Sequence, residues 1–271
     1  MYKRYFGFKE KPFSKTPDPR FLFLSRGHEE ALARLEFVVE EREIAVLTGE
    51  IGCGKTTLSR ALMDRLGSRY RFCYIINPRL NAIEFLRTIA RILEVEQPAD
   101  AKDTLIDQIH TAVYSLNQRD ICPVLVIDEA QMITDAEVFD EIRLLTNFQL
   151  DDRNLLGVVI MGQPELRRRL SHHAYEPLRQ RIGMQYALKP LSLAETGEYL
   201  DFRLAVVDGK PGLFLPEAVE LLYKYSSGVP RRINHIASLA LLEGFGREAQ
   251  HIGPEILDAI LSELNFVAKS G

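Results

Sequence analysis

No apolar run in this chain approaches the roughly 18–20 residues that a membrane-spanning helix needs. The best stretch, Ile236–Leu242, is short and carries Ser238. The opening residues Met1–Phe8 lead into charges rather than an apolar segment, so no secretory leader is expected. Cysteine is scarce, with three in 271 residues, at 53, 73 and 122. They lack metal-ligand spacing and cannot all pair, which points to a reducing cytoplasm. Neither sign of charge dominates: 34 Lys and Arg stand against 38 Asp and Glu, leaving −4. That balance excludes a uniformly basic nucleic-acid coat and still allows a local basic face. Repeats and low-complexity stretches are missing too, which removes collagen-like and wholly disordered classes. What is there is ordinary globular material, 46% hydrophobic and 27% charged. At about 100–200 residues per domain, the length fits one large domain or nearly two, ample for a sizeable core.

The pattern along the chain supports an α/β core followed by helices. An opening segment is rich in aromatics and prolines, among them Tyr5, Phe6, Phe8, Pro12, Phe13, Pro17 and Pro19. Ser25 then stands ready to cap a helix over about 27–41, whose Ala31, Leu32, Leu35, Val38 and Val39 recur at helical spacing. Short apolar runs follow at Ile44–Thr48, Phe72–Ile76, Val124–Ile127, Leu155–Met161 and Met184–Leu188. Their β-branched content suits buried parallel strands. Helices are predicted between them at about 55–66, 82–94, 103–117, 135–147 and 164–171, and this alternation means βαβ units under a doubly covered sheet. Past about Pro190 the strand signals stop. Ser192 and Glu195 read as a capping box opening a helix to about Val207. Pro216 suits the first position of a helix over 216–226. Two more are expected near 230–243 and 254–265. The expected division is thus 1–43 as an N-terminal segment and helix packing on the core, 44–190 as the α/β core, and 191–271 as a helical lid.

The sharpest motif is Gly49, Glu50, Ile51, Gly52, Cys53, Gly54, Lys55, Thr56. It fits the phosphate-loop pattern G-x-x-x-x-G-K-[ST], and it follows a predicted strand and precedes a predicted helix, as that motif requires. Glycines let backbone N–H groups curl around a phosphate chain, and the helix N-terminus adds partial positive charge. Lys55 should reach the β- and γ-phosphates, and Thr56 should ligate Mg²⁺. Cys53 reads as a tolerated small residue rather than a redox switch. Some seventy residues on, Asp128 and Glu129 follow the apolar strand Val124–Ile127. The carboxyl ends of strands are where open α/β sheets bind ligands. Asp128 suits the Mg²⁺ shell, and Glu129 can polarise a water for attack on the γ-phosphate. Gln163, after the run Val158–Gly162, either orients that water or merely caps a strand end. Arg179 and Arg181 either form a solvated helix end or supply an arginine across a subunit interface. Arg231 and Arg232 open a lid helix, where an arginine could reach back over the phosphates.

This order of parts resembles the AAA+ ATPases, specifically the ExeA-like group (general secretion pathway protein A and relatives), with the TnsC- and TniB-type transposition ATPases as kin. The group-specific marks are the opening Tyr5–Phe8, Pro12, Phe13 and Phe21–Phe23, and the turn Gly162, Gln163, Pro164, Glu165, Leu166. The resemblance implies a P-loop three-layer core with a parallel sheet and a small helical lid. It also implies Mg-ATP as ligand, with Gly49–Thr57 and Arg231 contacting the nucleotide and Thr56 and Asp128 the metal. Glu129, Lys55, Arg181, Gln163 and Arg231 are its expected catalytic positions, with Gln163 as first sensor, Arg181 as arginine finger and Arg231 as second sensor. Phe21–Phe23 and His28 would line the adenine end, or simply pack the opening segment.

Two functional classes follow. One is Mg²⁺-dependent ATP hydrolysis completed between subunits of a hexamer or helical filament. The other is an ATP-gated scaffold assembling on duplex DNA and recruiting a transposase, suggested by the basic cluster Arg167, Arg168, Arg169, Arg179 and Arg181. The plainer reading of that cluster is a subunit interface or a solvated helix face. An ATPase assisting a secretion or pilus system is the alternative. Direct membrane insertion is not expected.

Overall fold

The computed structural model describes residues 1–14, 18–151 and 153–269; Pro17 of the opening segment lies outside them. In chain order the elements are α1 (Tyr2–Tyr5), α2 (Arg26–Glu40), β1 (Ile44–Gly49), α3 (Lys55–Leu66), β2 (Tyr70–Ile75), α4 (Ala82–Ile92) and α5 (Lys102–Asn117). Then come β3 (Cys122–Ile127), α6 (Glu137–Leu145), β4 (Gly157–Gly162), α7 (Pro164–Leu170), α8 (Glu176–Arg179) and β5 (Ile182–Leu188). The chain ends with α9 (Leu193–Ala205), α10 (Pro216–Ser226), α11 (Pro230–Gly246) and α12 (Pro254–Lys269).

These elements gather into two compact units. One comprises Gly27–Gly49 and Leu58–Leu188. The other comprises Met1–Arg26, Glu50–Thr57 and the chain from Lys189 onward.

The first unit is built on a five-stranded sheet of order β2-β3-β4-β1-β5 with all neighbours parallel. The three inner strands β1, β3 and β4 are buried at every residue. That is why their sequences are near-continuous apolar runs, as strands covered on both faces must be. The outer strands β2 and β5 alternate between covered and open positions. Phe85 and Leu86 of α4, Leu105 and Ile109 of α5, and Phe139 and Ile142 of α6 join the inward residues of the sheet in one apolar cluster. α4 opens with a reciprocal capping box, in which Asn81 accepts from the Glu84 N–H and Glu84 accepts from the Asn81 N–H.

The second unit is helical. α9 begins with the expected capping box, Ser192 with Glu195, and α10 and α11 begin with Pro216 and Pro230. Gly228 takes φ +70°, and a Cβ there would meet the Leu191 carbonyl oxygen at 1.9 Å. The two backbones close on each other through the Leu191 N–H, which donates to Gly228 O at 2.9 Å. Phe8, Phe13 and Phe21 of the opening segment belong to the apolar cluster of this helical unit, with Leu200, Leu222 and Ile233. Arg203 ties α9 to that segment. It is only 6% exposed, donates from Nε to Pro12 O at 2.6 Å, and lays its guanidinium 4.3 Å from the Phe21 ring centroid. Among the described residues no helix is long and apolar enough to cross a membrane.

Candidate functional site

The loop between β1 and α3 is shaped by two glycines, Gly52 at φ +85° and Gly54 at φ +100°, a backbone region closed to most side chains. The Cys53 N–H donates to Glu50 O at 3.2 Å, turning the loop back on itself. Lys55, the first residue of α3, is 6% exposed, and its Nζ also donates to Glu50 O, at 3.2 Å. Gly52 is needed for a second reason. A Cβ there would stand 2.5 Å from Arg231 Cβ, and the Arg231 N–H donates to Gly52 O at 3.3 Å. The structure therefore brings Arg231 against the loop. All three cysteines are buried. Burial pushes the Cys53 thiol up and the Cys73 thiol up to about 12, which disfavours the reactive thiolate.

In the α/β unit the parallel register aligns the carboxyl ends of the strands. Thr48 pairs with Gly162, and Ile127 pairs with Ile75 on one side and Ile160 on the other. Asp128, Glu129 and Gln163 therefore leave the sheet at one edge. Asp128 is 3% exposed. Its Oδ1 accepts from the Glu129 N–H at 2.9 Å and its Oδ2 from the Tyr74 hydroxyl at 3.0 Å. The Tyr74 oxygen also lies 3.1 Å from Ser59 Oγ, so Tyr74 joins α3 to the acid strand. Burial raises the Tyr74 pKa above the ordinary phenol value, keeping the O–H available as a donor.

Glu129 holds a left-handed backbone, φ 52° and ψ 38°. For a non-glycine residue this costs of order 1–3 kcal/mol and marks sites where the surroundings dictate conformation. Its Oε2 accepts from Gln163 Nε2 at 3.3 Å and from Gln131 Nε2. The Gln163 side chain makes no cap on α7; it turns to Glu129 instead.

Arg181 lies at the other edge. It precedes β5, whose first residue Ile182 pairs with Ile44, the first residue of β1. It is exposed, with Nη1 3.4 Å from Thr146 Oγ1. The rest of the basic cluster is largely engaged: Arg168 pairs with Glu165 at 2.7 Å and Arg179 with Glu176 at 3.8 Å. Arg169 stacks 4.9 Å from the Phe139 centroid and 5.5 Å from that of Tyr175. Phe21 and Phe23 pack within the helical unit, Phe23 against Tyr199 and Phe202. His28 is buried on α2.

Sequence reasoning passed over Tyr74, Ser59 and Gln131. Tyr74 could have been found as a polar group at the penultimate position of a strand neighbouring the acids. Gln131 could have been found from its place three positions after Asp128.

Taken separately, the loop suits a phosphate chain and the acids suit Mg²⁺. The loop is a backbone cradle shaped by Gly52 and Gly54 at positive φ; the Thr56 hydroxyl in that loop is a hard oxygen donor, and so, in the α/β unit, is the Asp128 carboxylate. Mg²⁺ takes one or two carboxylates alongside substrate phosphates rather than a protein cage. Among the described residues no group of three or more His, Cys, Asp or Glu gathers as a metal site.

Residues 39–170 match the family model described as AAA domain. Over 254 residues the chain is 37% identical to general secretion pathway protein A of Aeromonas hydrophila, covering 93% of this chain and 46% of that protein. The chain thus spans about half the length of that curated relative. Among solved structures, the Aeropyrum pernix ORC2 protein in its ADP form aligns with TM-score 0.70 at 18% identity, covering 94% of this chain and 73% of that one. Cdc6p from Pyrobaculum aerophilum aligns with TM-score 0.65 at 19% identity, covering 90% and 68%. The Thermotoga maritima RuvB Holliday junction branch migration motor gives 0.60 at 20%, covering 90% and 70%. At such identities the solved structures speak for the fold alone. The chain has the fold of an AAA-type P-loop protein, a parallel five-stranded α/β core with a helical C-terminal domain, and is similar along nearly its whole length to general secretion pathway protein A.

Proposed function

We propose that this protein is an AAA+ ATPase that hydrolyses Mg-ATP at subunit interfaces and acts as an ATP-gated regulator in a ring or filament. The observation that carries this reading is the separation of two functional edges on one sheet. Asp128, Glu129 and Gln163 leave the carboxyl edge, whereas Arg181 stands at the amino edge. Strands of six and seven residues put these edges roughly 17–20 Å apart, too far for Arg181 to serve its own carboxyl edge. An arginine so placed serves a neighbouring copy, and assembly completes the site.

Lys55, with the loop Gly49–Thr57, takes the phosphates. Thr56 and Asp128 would hold Mg²⁺, which would supply charge neutralisation to the phosphates. Glu129 accepts a proton from the attacking water, Gln163 orients that water, and Arg231 couples the loop to α11. Arg179 and Arg232 are the lesser candidates for finger and second sensor.

For the wider role, the notion of a DNA-bound regulator of transposition target selection rests on the basic cluster. Four of its five arginines make contacts within the unit. The 37% identity to general secretion pathway protein A favours the second reading, an ATPase assisting a secretion system.

The experiment is a pair of substitutions assayed for binding of a fluorescent ATP analogue and for phosphate release. Lys55→Ala should abolish binding. Glu129→Gln should bind normally and lose about 10²–10⁴ in turnover. Wild-type turnover in Glu129→Gln would overturn the assignment of the base.

A further inference from the structure

Gln131 makes a two-ended contact for which the proposed reaction has no assigned use. Its Oε1 accepts the backbone N–H of Gln163 at 3.0 Å, and its Nε2 donates to Glu129 Oε2. The orientation of the amide follows from its neighbours, since a backbone N–H can only donate and an ionised carboxylate can only accept. The turn after β4 is built around this side chain: a Cβ on Gly162 would stand 2.8 Å from Gln131 Oε1. Gln163 Nε2 reaches the same Glu129 oxygen at 3.3 Å. Both amides engage Oε2 and neither engages Oε1. Two donors on one oxygen stop the carboxylate from rotating, and the other oxygen is the one left to take a proton from water.

We propose that Gln131 is a positioning residue that fixes the Glu129 carboxylate and locks it to the Gln163 turn, so that proton acceptor and water-orienting amide move as one body. This rests on the reading of Glu129 as the base. The left-handed backbone of Glu129 gives the lock its purpose, because a strained residue keeps its aim only while its side chain is held.

The test uses the full chain with two variants, Gln131→Ala and Gln131→Glu. Alanine removes both contacts. Glutamate keeps an acceptor for the Gln163 N–H but removes the donor to Glu129. Steady-state ATP hydrolysis should fall by about 10²-fold in kcat in both variants, the scale of a small misplacement of a reacting group. KM for ATP should stay within about twofold, since binding groups are untouched. Amide hydrogen exchange at Gln163 should quicken in Gln131→Ala and stay near wild type in Gln131→Glu. A Gln131→Glu protein that retains wild-type kcat would show that Gln131 merely props the turn, and the proposal falls. Wild-type kcat in Gln131→Ala, with Glu129→Gln inactive, overturns this proposal and leaves the proposed function standing. Wild-type kcat in Glu129→Gln removes the base assignment and this inference with it. If Gln131→Ala does not fold, Gln131→Glu alone decides through the same kcat and exchange readings.

Discussion

Tyr74 shows how a single hydroxyl can tie chemistry to scaffold. Its oxygen lies 3.1 Å from Ser59 Oγ and donates to Asp128 Oδ2 at 3.0 Å. Because burial raises its pKa, the group stays protonated through the physiological range, and the hydrogen bond to Asp128 persists there. Tyr74→Phe deletes that bond and keeps the ring. Groups that orient a metal-binding carboxylate are worth about 10–100-fold in metal affinity. The expected outcome is a roughly tenfold higher Mg²⁺ concentration for half-maximal ATP hydrolysis, measured by titrating Mg²⁺ at fixed ATP, with the melting temperature little changed. An unchanged Mg²⁺ requirement would detach Tyr74 from the metal's surroundings.

At the scale of elements, α9 is held to the opening segment by Arg203. Its guanidinium sits among Phe13, Phe21 and Tyr199 and donates to the carbonyls of Pro12 and Ser14. Planarity and the fork of donors are both in use, so Lys is a poor substitute. Arg203→Lys should cost about 2–3 kcal/mol, from lost ring stacking and a buried carbonyl without its donor. Thermal denaturation would read this, and limited proteolysis should find new cleavage within residues 1–26. Elements such as β1, α3 and α10 were legible in the sequence because their signals are local: an apolar run, a glycine-bounded loop, a proline at the first helical turn. The aromatics of the opening segment were legible as apolar but not as partners of α9. The contact from Arg203 to Pro12 spans 191 positions, and no periodicity encodes it. The candidate site divides the same way. Loop and acids declare themselves by spacing, whereas Gln131 acquires its meaning only once β3 and β4 lie side by side.

At the scale of the whole molecule, the amino-edge position of Arg181 makes a prediction about copies rather than chains. Arg181→Ala should bind the ATP analogue normally and lose about 10³-fold or more in hydrolysis. Glu129→Gln should fail for the opposite reason, with its own acid gone and its arginine intact. Mixing the two inactive proteins should restore part of the phosphate release, because some neighbours then combine an intact Glu129 with an intact Arg181. Absence of any recovery, with assembly of the mixture verified by light scattering, would rule out the shared site.

The phosphate loop has one further consequence at this scale. Its chain continues from β1, yet its packing belongs to the helical unit, through the Gly52 carbonyl and the stem of Arg231. A ligand that settles Gly52 into one conformation therefore does thermodynamic work on α11, and the free energy of occupancy adds to the stability of the helices that hold the loop. On the proposed function, the C-terminal domain would report whether the cradle is full.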